Sequence, residues 1–342
     1  VTITDNLDPS ALCQDITVQL DASGNVTITE NDIDNGSSDN CEIADISLDI
    51  TSFDCTNIGD NTVILTVTDV NDNISTCNAT VTVKDTINPT AQCQDITLQL
   101  DASGNATITV NDIDNGSFDN CGISNIEVTP GNFDCSNIGN NTVVLTVTDD
   151  SGNTSTCNAT VTVEDNIDPT ALCQDITIQL DGSGNASITA NDIDNGSTDN
   201  CGIDTMIVTP NTFDCTNVGA NNVTLTVTDH SGNSASCAAT VTIEDDEDPV
   251  AICQDITIQL DASGNATITV DDIDNGSYDN CGTPNLSLDK TSFDCTELGD
   301  NTVTLTATDG SGNISTCTAV VTVADDNFPV EINATITHDP IN

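Results

Sequence analysis

Basic residues are almost missing from this chain. Lysine and arginine together number 2 in 342 residues, against 56 aspartates and glutamates, for a formal net charge of −54. Nucleic acid and anionic membrane surfaces are therefore excluded as electrostatic partners, since both would be repelled. Tryptophan is absent, with 1 tyrosine and 6 phenylalanines, so exposed aromatic platforms are scarce. Phe118 and Tyr278, at one variable loop position, are the only candidates for glycan stacking. His230 and His338 do not recur between repeats. Without a Ser/His/Asp set, a basic cluster or a glycine-rich phosphate loop, no catalytic apparatus is visible and a non-enzyme is expected. None of the 16 cysteines forms a Cys-x-x-Cys pair, a poor match to zinc. Transmembrane runs and a signal peptide are also missing, and direct membrane insertion is not expected.

What is present is repetition. "NDIDNGSSDNC" at Asn31–Cys41 returns as "NDIDNGSFDNC", "NDIDNGSTDNC" and "DDIDNGSYDNC" at intervals of 80 residues. The units run Pro9–Thr86 (9–86), Pro89–Asn166 (89–166), Pro169–Asp246 (169–246) and Pro249–Asp326 (249–326), without insertions or deletions. Uniform length implies that each unit packs on the next in the same way. "VTITDNLDP" at the start matches "VTVEDNIDP" at Val161–Pro169, so residues 1–8 are read as the end of a preceding repeat and its linker. The tail 327–342 lacks the Cys-Gln-Asp continuation and reads as a different module.

Within a unit the period is two. Ile16, Val18 and Leu20 share a face, as do Val26 and Ile28, Ile46 and Leu48, Val63, Leu65 and Val67, and finally Cys77, Ala79, Val81 and Val83. Short strands, Gly/Asn/Asp turns and no helical stretch predict an all-β chain, a tandem array of four immunoglobulin-like β-sandwich domains of about seven strands each, forming an extended rod. "DASGN" reads as a plain hairpin turn. Phe53, Phe133, Phe213 and Phe293 are the only recurring aromatics, so the core is thin for an 80-residue unit.

Disulfides answer that need. Cysteines fall at 13, 41, 55 and 77 and at each position plus 80, 160 and 240. Four cysteines allow three pairings. Because the first and last strands of such a sandwich lie side by side, and Cys77 shares the inward parity of Val81, the expected long bridges are Cys13–Cys77, Cys93–Cys157, Cys173–Cys237 and Cys253–Cys317. The expected short ones are Cys41–Cys55, Cys121–Cys135, Cys201–Cys215 and Cys281–Cys295. Rings of that kind stabilise by roughly 3–4 kcal/mol each in the chain-entropy account. An oxidising, extracellular or cell-surface setting follows.

Acidity this dense opposes compaction unless a cation offsets it. In a sandwich of this type three oxygen-rich segments converge where two domains meet: the linker, the opening loop, and the loop before the last strand. Ca²⁺ takes six to eight oxygen ligands, and these segments supply them. The candidate ligands are Asp5, Asp8, Asp32, Asp34, Asp39 and Asp69 for the first site, then Asp85, Asn88, Asp112, Asp114, Asp119 and Asp149 for the second. The third set is Asp165, Asp168, Asp192, Asp194, Asp199 and Asp229, and the fourth Asp245, Asp248, Asp272, Asp274, Asp279 and Asp309. An EF-hand does not fit, because Gly36 is at the fifth loop position and no Glu closes the loop. Against the cation stands the plainer reading of acidic, solvated turns built by Asn-Gly and Asp.

"TVTDDSGNTSTCNATVTVED", followed by a linker Asp-x-x-x-Pro with a cysteine four residues on, resembles the hyalin-repeat type of immunoglobulin-like domain. The fuller unit, "CQDITVQLDASGN", "NDIDNGSSDNC" and "FDCTNIG", is similar to tandem repeats of giant surface proteins of gliding Bacteroidota, including gliding-motility adhesins. The resemblance covers about residues 5–326. It implies a stalk or filament of a secreted cell-surface adhesin, whose partners are neighbouring repeats of the chain, other surface proteins or an adhesive substrate. The first unit departs with "VNDN" for "xSGN", where Asp72 takes a glycine position and tolerates the left-handed backbone. The rival functions are a carbohydrate- or ligand-binding array of a secreted enzyme, and an acidic surface-layer protein whose cations are diffuse.

Overall fold

The computed structural model describes residues 5–325. They are nearly all β, in four repeated sandwich units in tandem. In the first unit β1 is Ile16–Gln19, β2 Asn25–Thr27, β3 Ile43–Leu48, β4 Ser52–Asp54, β5 Gly59–Asp69 and β6 Ile74–Lys84. One sheet has the order β1-β6-β5-β3 and the other pairs β2 with β4. That makes six strands rather than the expected seven or so. Backbone contacts gather the chain into two compact units, Val1–Ile167 and Asp168–Asn342.

Strand alternation decides the interior. Val63, Leu65 and Val67 of β5 face Ala79, Val81 and Val83 of β6, and all six are buried, with Phe53 of β4 closing the core from the second sheet. The intervening threonines are less buried and line the outer face of the long hairpin. β1 runs parallel to β6, with Ile16 opposite Val81 and Val18 opposite Val83. Having first and last strands adjacent puts Cys13 beside Cys77, and the two are bonded at a Cα separation of 5.8 Å. The same bridge recurs as Cys93–Cys157, Cys173–Cys237 and Cys253–Cys317.

The opening stretch is not a plain loop. Glu30–Ile33 forms a single helical turn, α1, and Cys55–Asn57 a 3₁₀ turn, where no helix was expected. Thr29-Glu30-Asn31-Asp32 is a capping box. Asp32 reaches back to accept from the Thr29 backbone N–H at 2.7 Å and its hydroxyl at 2.8 Å, satisfying a donor the first turn leaves open. Ile33 then drops fully into the core. Asp34 caps the other end, accepting from Ser37 N at 2.9 Å, while its backbone bridges Cys13. At Asp72 the backbone is left-handed, with φ 70°, as the glycine-equivalent position requires.

These caps titrate. The Thr29 N–H and hydroxyl hold Asp32 below the ordinary aspartate value of 3.8, and Asp112, Asp192 and Asp272 are lowered by the equivalent threonines. A carboxyl depressed in the folded state contributes stability that is complete above its unfolded pKa and is lost as pH falls through the folded one. Thermal melts should therefore fall in temperature below about pH 4. Asp32→Ala should lower the melt at neutral pH and flatten that acid limb. An acid limb identical in the two proteins would show that the box does not contribute it.

Candidate metal centre and the joint between repeats

Three carboxylates meet at each joint that lies inside a compact unit. Asp85, Asp119 and Asp149 bring oxygens within 4.8 Å of one another, and Asp245, Asp279 and Asp309 do the same. Each position comes from a different segment. Asp85 begins the linker after β6, Asp119 lies in the opening stretch of the second repeat, and Asp149 ends the long strand Gly139–Asp149. Asp85 and Asp149 are 6% and 1% exposed, so their mutual repulsion is poorly screened.

Hydrogen bonds place each group and leave some oxygens open. Asp149 Oδ1 accepts from Ser151 N at 2.9 Å and Asn153 N at 2.8 Å, and Oδ2 from Asn153 Nδ2 at 2.7 Å. Asn153 thereby links the loop to the linker, donating to the Asp85 carbonyl at 3.3 Å. Asp119 Oδ2 accepts from Cys121 N at 2.8 Å. Asp85 Oδ2 is buried and has no hydrogen-bond partner. In the second compact unit, Asp279 Oδ1 and Asn280 Oδ1 are likewise buried and unpartnered, and Asn280 Nδ2 donates to Asp245 Oδ1 at 3.1 Å. Burial pushes Asp309 up, yet the Asn313 side chain and backbone, with Gly312 and Ser311, hold it below 3.8. It therefore keeps its charge at neutral pH.

Buried acceptor oxygens converging without donors fit a hard cation, which is bound by carboxylates and amide carbonyls. No basic side chain serves instead. Lys84 is exposed, and Lys290 pairs with Glu297 over the Phe293 ring.

Of the expected ligands, the structure gathers the first linker aspartate, the Asp39-type residue and the Asp69-type residue. It does not gather the others. Asp32, Asp112, Asp192 and Asp272 are committed to capping boxes. Asp34, Asp114, Asp194 and Asp274 are committed to the turn at the following serine. Asp8, Asn88, Asp168 and Asp248 are exposed. In the first repeat the set is Asp5, Asp39 and the thiol of Cys41. Asp69, fully buried, is engaged by Asn71 and Asn73.

The short disulfides are corrected outright. Cys55 bonds Cys121, and Cys215 bonds Cys281, at Cα separations of 5.3 Å. Cys41–Cys55, Cys121–Cys135, Cys201–Cys215 and Cys281–Cys295 therefore do not form, and Cys41 and Cys295 are free. The reason is position. Cys41 belongs to the pole where the linker enters, beside Asp5, whereas Cys55 opens the 3₁₀ turn at the pole facing the next repeat. "DASGN", expected as a plain turn, is part of this contact. Gly24, at φ +71°, leaves room for Cys55 Sγ and the Asn120 carbonyl, which a Cβ would approach to 2.6 and 2.9 Å. Asn280 Nδ2 also donates to the Asp181 carbonyl of the matching turn at 3.3 Å.

Residues 84–163 and 164–243 each match the HYR domain family. Residues 84–243, nearly half of the chain, are thus similar to two tandem HYR domains. Among solved structures it is similar to the protocadherin GammaB4 extracellular domain, at 17% identity over 93% of this chain and 67% of that one, with a TM-score of 0.30. Protocadherin Gamma B2 extracellular cadherin domains 3–6 match at 14% identity over 93% and 100%, TM-score 0.30. Sidekick-1 immunoglobulin domains 1–5 match at 7% over 93% and 80%, TM-score 0.30. Nothing about ions or partners follows from likeness at this level.

Gly184 tests the packing of the joint, because an added Cβ would lie 2.6 Å from Cys215 Sγ and 2.8 Å from the Asn280 carbonyl. Gly196→Ala is the control, with φ +86° and open space around it. Both should lose about 1–2 kcal/mol from the left-handed backbone, read by denaturant unfolding. Only Gly184→Ala should also lower the yield of the Cys215–Cys281 peptide. Equal yields would mean the turn does not set the bridge.

Proposed function

We propose that this chain is a non-catalytic spacer in an extracellular surface protein, a stalk of HYR-type repeats whose joints are held by Ca²⁺ and by disulfides. The observation that carries the cation is Asp85 Oδ2, buried without a hydrogen-bond donor inside a set of three carboxylates. Asp85, Asp119 and Asp149 would hold the ion at the first such joint, and Asp245, Asp279, Asp309 and the Asn280 side-chain oxygen at the second. The ion's part is to cancel the repulsion that these residues would otherwise exert across the joint.

Several features support the spacer reading. Repeats of one length with one packing register suit a structural element. The bonded cysteines suit an oxidising exterior. Among the described residues no helix is long and apolar enough to cross a membrane. Phe118 and Tyr278 are exposed single rings on the second and fourth repeats, too isolated to form a glycan platform, so a glycan array should give no saturable binding. The resemblance to repeats of gliding-motility adhesins makes a bacterial cell-surface adhesin the setting proposed.

Elemental analysis and calorimetry of the whole chain test the cation. Calcium should be retained through gel filtration and should raise the melting temperature, since an ion at 100 times its Kd adds about 2.7 kcal/mol to the folded state. Asp85→Asn should remove one binding event and leave the Asp245 joint intact. No bound metal, with melts unchanged by a chelator, would overturn the reading and leave the clusters as acidic turns.

A further inference from the structure

The bridge between repeats and the carboxylate cluster are not separate devices. Asp119, Asn120 and Cys121 are consecutive, and the three serve both. Cys121 N fixes Asp119 Oδ2 at 2.8 Å, the Asn120 carbonyl lies 3.4 Å from Cys55 Sγ, and Cys121 Sγ is bonded to Cys55 of the preceding repeat. Asp279, Asn280 and Cys281 repeat the arrangement, with Cys281 N on Asp279 Oδ2 at 2.8 Å and the Asn280 carbonyl 3.6 Å from Cys215 Sγ. The bonded sulfurs pack against the core of the preceding repeat.

The first repeat displays the same loop with the sulfur unbonded. Cys41 N still donates to Asp39 Oδ2 at 2.7 Å, so the loop itself is conserved in form. Its thiol lies within 4.8 Å of Asp5 and Asp39 oxygens.

We propose that the inter-repeat disulfide and the joint cation are thermodynamically coupled: oxidation of Cys55–Cys121 and Cys215–Cys281 assembles the cation site, and a bound cation protects these bridges from reduction. The inference rests on the calcium reading above and deepens it. On reduction by a dithiol, two electrons and two protons pass to the cysteine pair, and the reductant closes to its own cyclic disulfide. The released Cys121 then no longer ties the Asp119–Cys121 segment to the preceding repeat. Linkage requires that the effect be reciprocal.

The test uses the full chain. It is equilibrated in graded dithiothreitol with Ca²⁺ or chelator, alkylated, and read by peptide mass spectrometry for each bridge. Calcium should raise the dithiothreitol needed for half-reduction of Cys55–Cys121 and Cys215–Cys281 by about tenfold, within the usual range of coupling. Cys13–Cys77, which touches no cluster, should not move. Cys55→Ala with Cys121→Ala should weaken Ca²⁺ at that joint by about the same factor and leave the Asp245 joint unchanged, with circular dichroism reporting that the strands persist. Equal midpoints with calcium bound, or unaltered affinity in the double variant, would overturn the coupling while leaving the calcium reading in place. An oxidised chain that binds no calcium would overturn both.

Discussion

Like charges forced together are the constraint on which the joints depend. At the second and fourth linkers, Asp85 with Asp119 and Asp149, and Asp245 with Asp279 and Asp309, carboxylate oxygens lie within 4.8 Å. Two such charges at about 4 Å repel by about 1 kcal/mol in bulk water and by about 4 kcal/mol near a protein surface. A chain with 2 basic residues among 342 cannot offset this internally. Backbone amides and Asn153-type side chains spread part of the charge, but they satisfy Asp149 and leave Asp85 Oδ2 open. What remains is a buried, open acceptor of the kind a hard cation fills, and the disulfide alongside holds the segments together.

The fold follows from a division of labour between polar and apolar positions. Apolar side chains on alternate residues of β5 and β6 make a narrow core of valine, leucine and alanine, with one phenylalanine per repeat. Acidic residues are confined to loops and poles, where they cap turns or meet at the joints. The long bridge ties first strand to last within a repeat, and the second bridge ties one repeat to the next. Two cysteine pairs per period therefore serve two different ends, internal stability and register between neighbours.

Much of this was legible in the residues, and the failures have identifiable causes. Period-two alternation placed the strands, and parity at Cys77 placed it against Cys13. The second pairing was not legible because strict repetition hides it. Cys121 is Cys41 plus 80 residues, so a bridge to Cys55 from either position obeys the same pattern. Counting four cysteines and three pairings treats each repeat as a closed set, and geometry at the poles forbids the pairing within the repeat that this leaves for Cys41 and Cys55. Asp32 and Asp34 enter the ligand set through the place of their loop at the pole, although Thr-x-x-Asp before Ile33 carries the signature of a capping box. Asn40-type and Asn73-type residues were missed because asparagine is abundant here, and only the fold reveals which ones reach the linker.

Strict repetition also constrains what the joints can be. A ligand set drawn from one loop would form in every repeat regardless of its neighbours, as an EF-hand does. Here the linker supplies one aspartate and the following repeat supplies two, so the set exists only when the linker is seated on the repeat that follows it. Cation binding of that kind reports on the joint and not on the domain. The disulfide has the same property, since Cys55 and Cys121 lie on different repeats. Both fasteners therefore act at the same seam, and the β-sandwiches between seams hold their own cores through the Cys13–Cys77 type of bridge. The residues gathered at the seams are thereby distinct from those that hold each sandwich together.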